Sequence, residues 1–234
     1  MSEQNIKRVF ITGGPGSFLC GVDERLRSFF KDTDNSDITS ERQWIKGDDI
    51  WHVGAHFNLN GEFGDWMLRF QDYTKEQIID TLDSVFVKTD KSNIIRFHKG
   101  HYFAFHLDKI VEIFPDATII CVNPEPWVQS INWVYSGGFD IPYPPYTVFN
   151  NDYQILWEFT NQVYESICDW GKRNNHPEEF FDKEWVLNTF PREKFTRKFI
   201  TAKIEESSKL NNLFSTKKKN MQSLIKNIKI ISKS

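Results

Sequence analysis

The run Thr12-Gly13-Gly14-Pro15-Gly16-Ser17 follows a short β-rich stretch, Arg8 to Ile11 (RVFI), and leads into a pattern that reads as a helix from Ser17 to about Phe30. Strand, tight turn and helix in that order suit a phosphate group. The glycines let the backbone turn sharply, and the N–H groups at the helix start face the anion with the positive end of the helix dipole behind them. The turn does not by itself name the ligand. Gly16 and Gly21 have the GxxxxG spacing of a P-loop, but Val22 and Asp23 stand where a nucleotide triphosphatase or kinase carries Lys and Ser or Thr. Without that lysine on the phosphates and that hydroxyl on magnesium, ordinary nucleotide hydrolysis is disfavoured.

The rest of the chain must supply the sheet that holds such a turn. Lys31 to Ser40 is polar and reads as a surface loop, and Trp44 to Trp66 is aromatic and glycine-dotted, with a strand expected near Trp51 to Ala55. Thr74 followed three residues later by Gln77 has the form of a capping box and opens a helix to about Phe86. Asn93 to Phe97 (NIIRF) reads as a core strand, and Phe103, Leu107, Ile110, Val111 and Phe114 fall at helical spacing up to Pro115. Thr118 to Val122 (TIICV) is continuously apolar, as a buried parallel strand should be, and a helix follows from about Glu125 to Tyr135. After the turn-rich Gly137 to Pro145, the residues Tyr153 to Trp170 trace one face of a long helix. Strands alternating with helices imply an α/β fold, a parallel β-sheet flanked by helices on both faces.

Two family resemblances bear on the ligand. Val9 to Gly16 resembles the opening of short-chain dehydrogenases and sugar-nucleotide epimerases, but the next fingerprint glycine is missing near Leu19 and no Tyr is followed four residues on by Lys. The chain also resembles the sulfotransferase family in three separated segments that agree in order and spacing. Thr12 to Cys20 (TGGPGSFLC) is similar to the loop that binds the 5′-phosphosulfate of the donor 3′-phosphoadenosine 5′-phosphosulfate (PAPS). Arg96-Phe97-His98 is similar to the element that carries the catalytic base. Asn123 to Ser130 (NPEPWVQS) is similar to the 3′-phosphate element. This resemblance spans about Lys7 to Phe139 and implies a P-loop-containing nucleoside triphosphate hydrolase-like fold. It also implies transfer of a sulfuryl group from PAPS to a hydroxyl or amine of a small-molecule or glycan acceptor. It assigns Gly14, Pro15, Gly16, Ser17, Phe18, Asn123 and Ser130 to the donor and His98 to the base, and Lys99 and Arg96 are the nearest cations that could replace the family's loop lysine. Sulfuryl transfer needs no metal, and none is expected. The sequence departs from the family where the loop lysine is Gly16, the 3′-phosphate arginine is Val122, and Arg197-Lys198 is followed by Phe199. A non-catalytic nucleotide-binding relative, and after it a nucleotide kinase, are the alternatives.

Other histidines have quieter readings. His101 and His106 read as ordinary helix and loop residues. His52 and His56 are four apart, the metal-binding spacing of a helix, but Gly54 between them argues against a helix. Trp127, Trp133, Tyr135, Phe139, Tyr143 and Tyr146 read mostly as core, the remainder as an acceptor pocket whose Gly137-Gly138 and proline-rich loop acts as a lid. Gly61 to Trp66 carries no assignment.

Composition sets the frame. With 234 residues, 39% apolar and 26% charged, the chain suits one α/β domain over residues 1–212 and a basic tail over 213–234. That tail carries Lys217, Lys218, Lys219, Lys226, Lys229 and Lys233 interleaved with Ile225, Ile228, Ile230 and Ile231, and the net charge is still −3. An acidic body argues against nucleic acid as partner. Three distant cysteines, Cys20, Cys121 and Cys168, suit reduced thiols, and the longest apolar stretch is too short to span a bilayer, so a cytoplasmic protein without a transmembrane segment is expected.

Overall fold

The computed structural model describes residues 5–46, 50–59, 61–87 and 93–175. The C-terminal tail and the Arg197-Lys198-Phe199 segment lie outside the described residues.

Three strands, β1 (Asn5–Thr12), β4 (Asn93–Lys99) and β5 (Thr118–Cys121), form a parallel sheet in the order β4-β1-β5. β1 is central. It pairs with β4 from Asn5↔Asn93 to Ile11↔Lys99, and with β5 from Val9↔Thr118 to Thr12↔Cys121. Phe10 and Ile11 are adjacent and point to opposite faces, yet both are wholly buried, so each face of the sheet is covered. A separate antiparallel pair, β2 (Gln43–Lys46) and β3 (Ile50–Val53), stands where the sequence suggests a single strand near Trp51 to Ala55.

The helices are α1 (Leu19–Phe29), α2 (Lys75–Asp83), α3 (Leu107–Ile113), α4 (Pro126–Tyr135) and α5 (Tyr153–Arg173). The capping box opens α2: Thr74 Oγ1 accepts from the Gln77 N–H while the Gln77 side chain accepts from the Thr74 N–H. α1 starts two residues later than its apolar pattern suggests, because Phe18 turns left-handed at φ 67°. The expected single helix over 103–114 is two pieces, a 3₁₀ turn at Tyr102–Phe105 and then α3, broken at His106 with φ −126°.

Packing follows the two sheet faces. On one, the Phe10 ring meets Phe103 edge-on at 5.3 Å and Phe114 at 5.4 Å, in a cluster that also holds Leu107, Ile110, Val163 and Ile167. On the other, Arg27 of α1 lies over the Phe97 ring at 5.5 Å. From β1 the chain leaves toward β4, then crosses back to β5 on the other side. The point of reversal is therefore between β1 and β5, and in open α/β sheets ligands bind outside the C-terminal ends of the strands at such a point.

Candidate functional site

The segments after β1, β4 and β5 meet at the C-terminal edge of the sheet. Thr12 ties the first two together, its hydroxyl donating to Gly100 O at 2.9 Å, while Val122 N donates to Thr12 O at 2.7 Å and holds the third. The turn itself is pressed against α4. A Cβ on Gly16, already at φ 81°, would collide with the Gln129 carbonyl and the Trp133 N–H, and one on Gly14 with the Gln129 side chain. A lysine at position 16 therefore has no room, which accounts for the glycine there. Asn132 fixes the turn by donating to Gly16 O at 3.1 Å.

A cavity of about 130 Å³ opens at this turn. Gly14, Gly16, Ser17, Phe18 and the first turn of α1 form one wall, and His52, His56, His101, Trp133 and Tyr146 face them. Phe18 caps α1 without a side-chain hydrogen bond, and no acidic residue sits in the first turn. The helix start therefore offers uncapped N–H groups. Ser17 Oγ is buried there with no hydrogen-bond partner. Among the described residues lining the cavity there is no Lys or Arg, so the charge of an anion would be met by the helix start and hydroxyls.

The residues singled out from the sequence divide. Gly14, Gly16, Ser17 and Phe18 line the cavity; Pro15, Asn123, Ser130, Arg96, His98 and Lys99 are not among its lining residues. Asn123 donates to Tyr164 O at 3.3 Å, and Ser130 Oγ is buried without a partner. Arg96 and His98 share one face of β4 and Lys99 takes the other, as strand alternation requires. Arg96 is ion-paired to Asp34 at 3.1 Å and to Asp83 at 3.2 Å, and its guanidinium lies over Phe86. Lys99, wholly buried, is 2.6 Å from Asp23 and also donates to Val53 O. His98 sits in an aromatic box, stacked on Phe10 at 5.1 Å with Phe86 and Phe57 around it, and neither ring nitrogen has a hydrogen-bond partner. Burial, helped by Arg8, Arg96 and Arg27, holds its pKa well below the usual imidazole value.

The imidazoles at the cavity are others. His101, just past the end of β4, has Nδ1 2.5 Å from Gly13 O and Nε2 3.2 Å from Tyr146 Oη. A carbonyl only accepts, so Nδ1 carries the proton and Nε2 accepts from the tyrosine. Burial holds His101 at about 4, partly offset by the Gly13 hydrogen bond. His56 reaches the same place because segment 54–58 runs on beside β4: Phe57 N donates to Lys99 O at 2.8 Å, and Tyr143 Oη accepts from His56 N at 3.2 Å. His52 and His56 come within 5.8 Å, ring to ring, without a helix. The one signal for this group in the sequence is the pair of histidines around Gly54, with His101 directly after the core strand.

Compared with protein-family models and with curated proteins, the chain gives no match. Among the described residues no helix is long and apolar enough to cross a membrane.

Proposed function

We propose that the cavity at the Gly14–Phe18 turn takes the phosphosulfate end of PAPS and that the chain is a sulfotransferase acting on a hydroxyl or amine. One observation carries this reading: the three segments that resemble the family, far apart in the chain, lie on or directly after three adjacent parallel strands, with β1 in the middle, and run to the same C-terminal end of the sheet, where α/β sheets keep their ligands. A cavity of about 130 Å³ is on the scale of a phosphosulfate group rather than of a whole nucleotide. It is short of the roughly 300 Å³ at which pockets for whole ligands begin, so the nucleoside lies outside it.

In this reading the base is His101 rather than His98, because His101 lines the cavity and His98 does not. The acceptor hydroxyl passes its proton to Tyr146 Oη as Tyr146 passes its own to His101 Nε2. The acceptor oxygen bonds to sulfur, and the bond from sulfur to the leaving phosphate oxygen breaks, with the uncapped start of α1 facing the charge that develops there. The absence of Lys and Arg from the described lining favours a second reading, a nucleotide-binding relative without transferase activity.

Melting curves and transfer assays separate them. Adenosine 3′,5′-bisphosphate without magnesium should raise the melting temperature, and ATP or NAD should not, because a ligand that binds only the folded state stabilises it by mass action. Labelled sulfate should pass from PAPS to an acceptor in wild type, with a loss of about 10²-fold or more in His101→Ala. Stabilisation without transfer supports the non-catalytic relative, and stabilisation only by ATP with magnesium supports a kinase.

A further inference from the structure

Three side chains at the cavity form a group that neither the phosphate site nor the proton path uses. Cys20 lies in the first turn of α1, His52 on β3, and His56 three residues beyond that strand. Cys20 Sγ is 3.1 Å from His52 Nδ1, and one ligand-capable atom from each of the three lies within 4.8 Å of the others. His56 is wholly buried, yet neither of its ring nitrogens has a hydrogen-bond partner. A buried polar atom left open calls for an explanation, since nearly all are satisfied. His101 is not free to join the group, because Gly13 and Tyr146 already engage its two nitrogens.

We propose that Cys20, His52 and His56 bind a zinc-class divalent transition-metal ion, with the fourth coordination position open to the cavity that all three residues line. One thiolate and two imidazoles are the donor set such ions take, and three protein ligands with one exchangeable position is the open form of the site. Donors at about 2.0 to 2.3 Å from a tetrahedral centre stand about 3.3 to 3.5 Å apart. Cys20 and His52, 3.1 Å apart, already stand near that spacing, and His56, within 4.8 Å of both, must close in by at most about 1.5 Å. Burial holds His52 at about 3 and His56 well below its usual value, so both imidazoles are already in the neutral, ligating form at neutral pH. Only the Cys20 thiol, pushed up by burial to about 11, must give up a proton, and metal binding drives that loss. The nearby Lys99 does not oppose the ion with an uncompensated charge, being paired with Asp23. The ion would bring positive charge to a cavity whose described lining has no Lys or Arg. The proposal stands apart from sulfuryl transfer, and its test reads metal alone.

The full chain, without an affinity tag and stripped with a chelator, is titrated with Co²⁺. We expect visible absorption of tetrahedral cobalt and a near-ultraviolet thiolate-to-cobalt band, both saturating at one ion per chain and both lost on adding Zn²⁺. Cys20→Ser should remove the thiolate band, and His56→Gln should weaken binding by about 10-fold or more. Because His56 is buried, circular dichroism must show that His56→Gln folds. If it does not, Cys20→Ser decides, since it changes one partly buried atom. Absence of the thiolate band in wild type, or its persistence in Cys20→Ser, overturns the proposal.

Discussion

Two buried polar groups stand one helical turn apart on α1, and they are built on opposite plans. Around Asp23 and Arg27 every charge is answered. Asp23 meets Lys99 at 2.6 Å and Arg27 at 2.7 Å, and Arg27 makes a two-pronged pair with Asp37 at 2.7 and 2.9 Å. Asp37 in turn accepts the Ala55 N–H at 3.0 Å, so the group pins α1, β4 and the loop before β2 to the segment after β3. Around Cys20 the groups are neutral, and His56 has both nitrogens open. A closed network of this kind holds a shape, whereas an open cluster has capacity left for a ligand. That difference, more than burial, separates the two groups on α1.

Acid should break the two groups at different pH, and this is the largest effect expected. His52 is held at about 3 and His101 at about 4, and His56 and His98 lie well below the usual value, burial being the first cause in each. The unfolded chain takes up protons on these side chains near pH 6.5, and the native chain does not. Their contribution is therefore fully present above about pH 6.5 and is lost as pH falls from there, through about 4 for His101 and about 3 for His52. At about 1.4 kcal/mol per histidine per pH unit, four together lose about 6 kcal/mol in one unit, a large part of a typical domain stability. For Asp23, burial pushes the pKa up, but Lys99 and Arg27 outweigh it and leave it below the ordinary carboxylate value. Its contribution is present above about pH 3.9 and is lost only below that. Urea unfolding at stepped pH should show the stability dropping steeply below pH 6.5, and a flat profile from pH 7.5 to 5 would contradict the buried neutral histidines.

Mutation sharpens the same contrast. Asp23→Asn leaves Lys99 and Arg27 facing an amide, and removing one partner of a buried pair costs about 3–5 kcal/mol. Cys20→Ser, one turn earlier on the same helix, should change metal-free stability by about 1 kcal/mol or less, since no charge is stranded. Equal losses in the two variants, read from urea midpoints at pH 7.5, would mean that the cysteine cluster is scaffold as well.

Much of the frame was legible because its signals are local. The Gly13–Gly16 turn, the Thr74 capping box and the apolar run of β5 each declare themselves within a few residues. The site was legible only on its β1 side. Where β4 ends is set by pairing with β1, which continues to Ile11↔Lys99 and makes Gly100 and His101, not His98, the first residues beyond the sheet. That register is invisible in Asn93 to Lys99 alone. Likewise Gly54 argues correctly against a helix through His52 and His56, but their approach depends on the long-range bridge from His56 to Lys99. Phe103, Leu107 and Ile110 keep helical spacing across the break at His106, so periodicity does not reveal it.

The smallest effect concerns His98, whose position tests the division between scaffold and site most directly. Its ring fills a box of Phe10, Phe57 and Phe86 and has no hydrogen bond to lose. Replacing it with phenylalanine keeps the stacking and removes two unsatisfied polar atoms, at the price of slightly more volume. These terms nearly cancel, so His98→Phe should lie within about 1 kcal/mol of wild type at pH 7.5. The acid-induced loss should shrink by one histidine's share, because the variant no longer has a site that the unfolded chain protonates first. A loss above about 2 kcal/mol would mean that the ring makes a hydrogen bond in solution, through water for instance, and that His98 belongs to a polar network. Sulfuryl transfer supplies the second reading of this variant. A fall of about 10²-fold in turnover with unchanged stability would return the base to His98, as the family resemblance implies, and leave Tyr146 and His101 as supports of the turn.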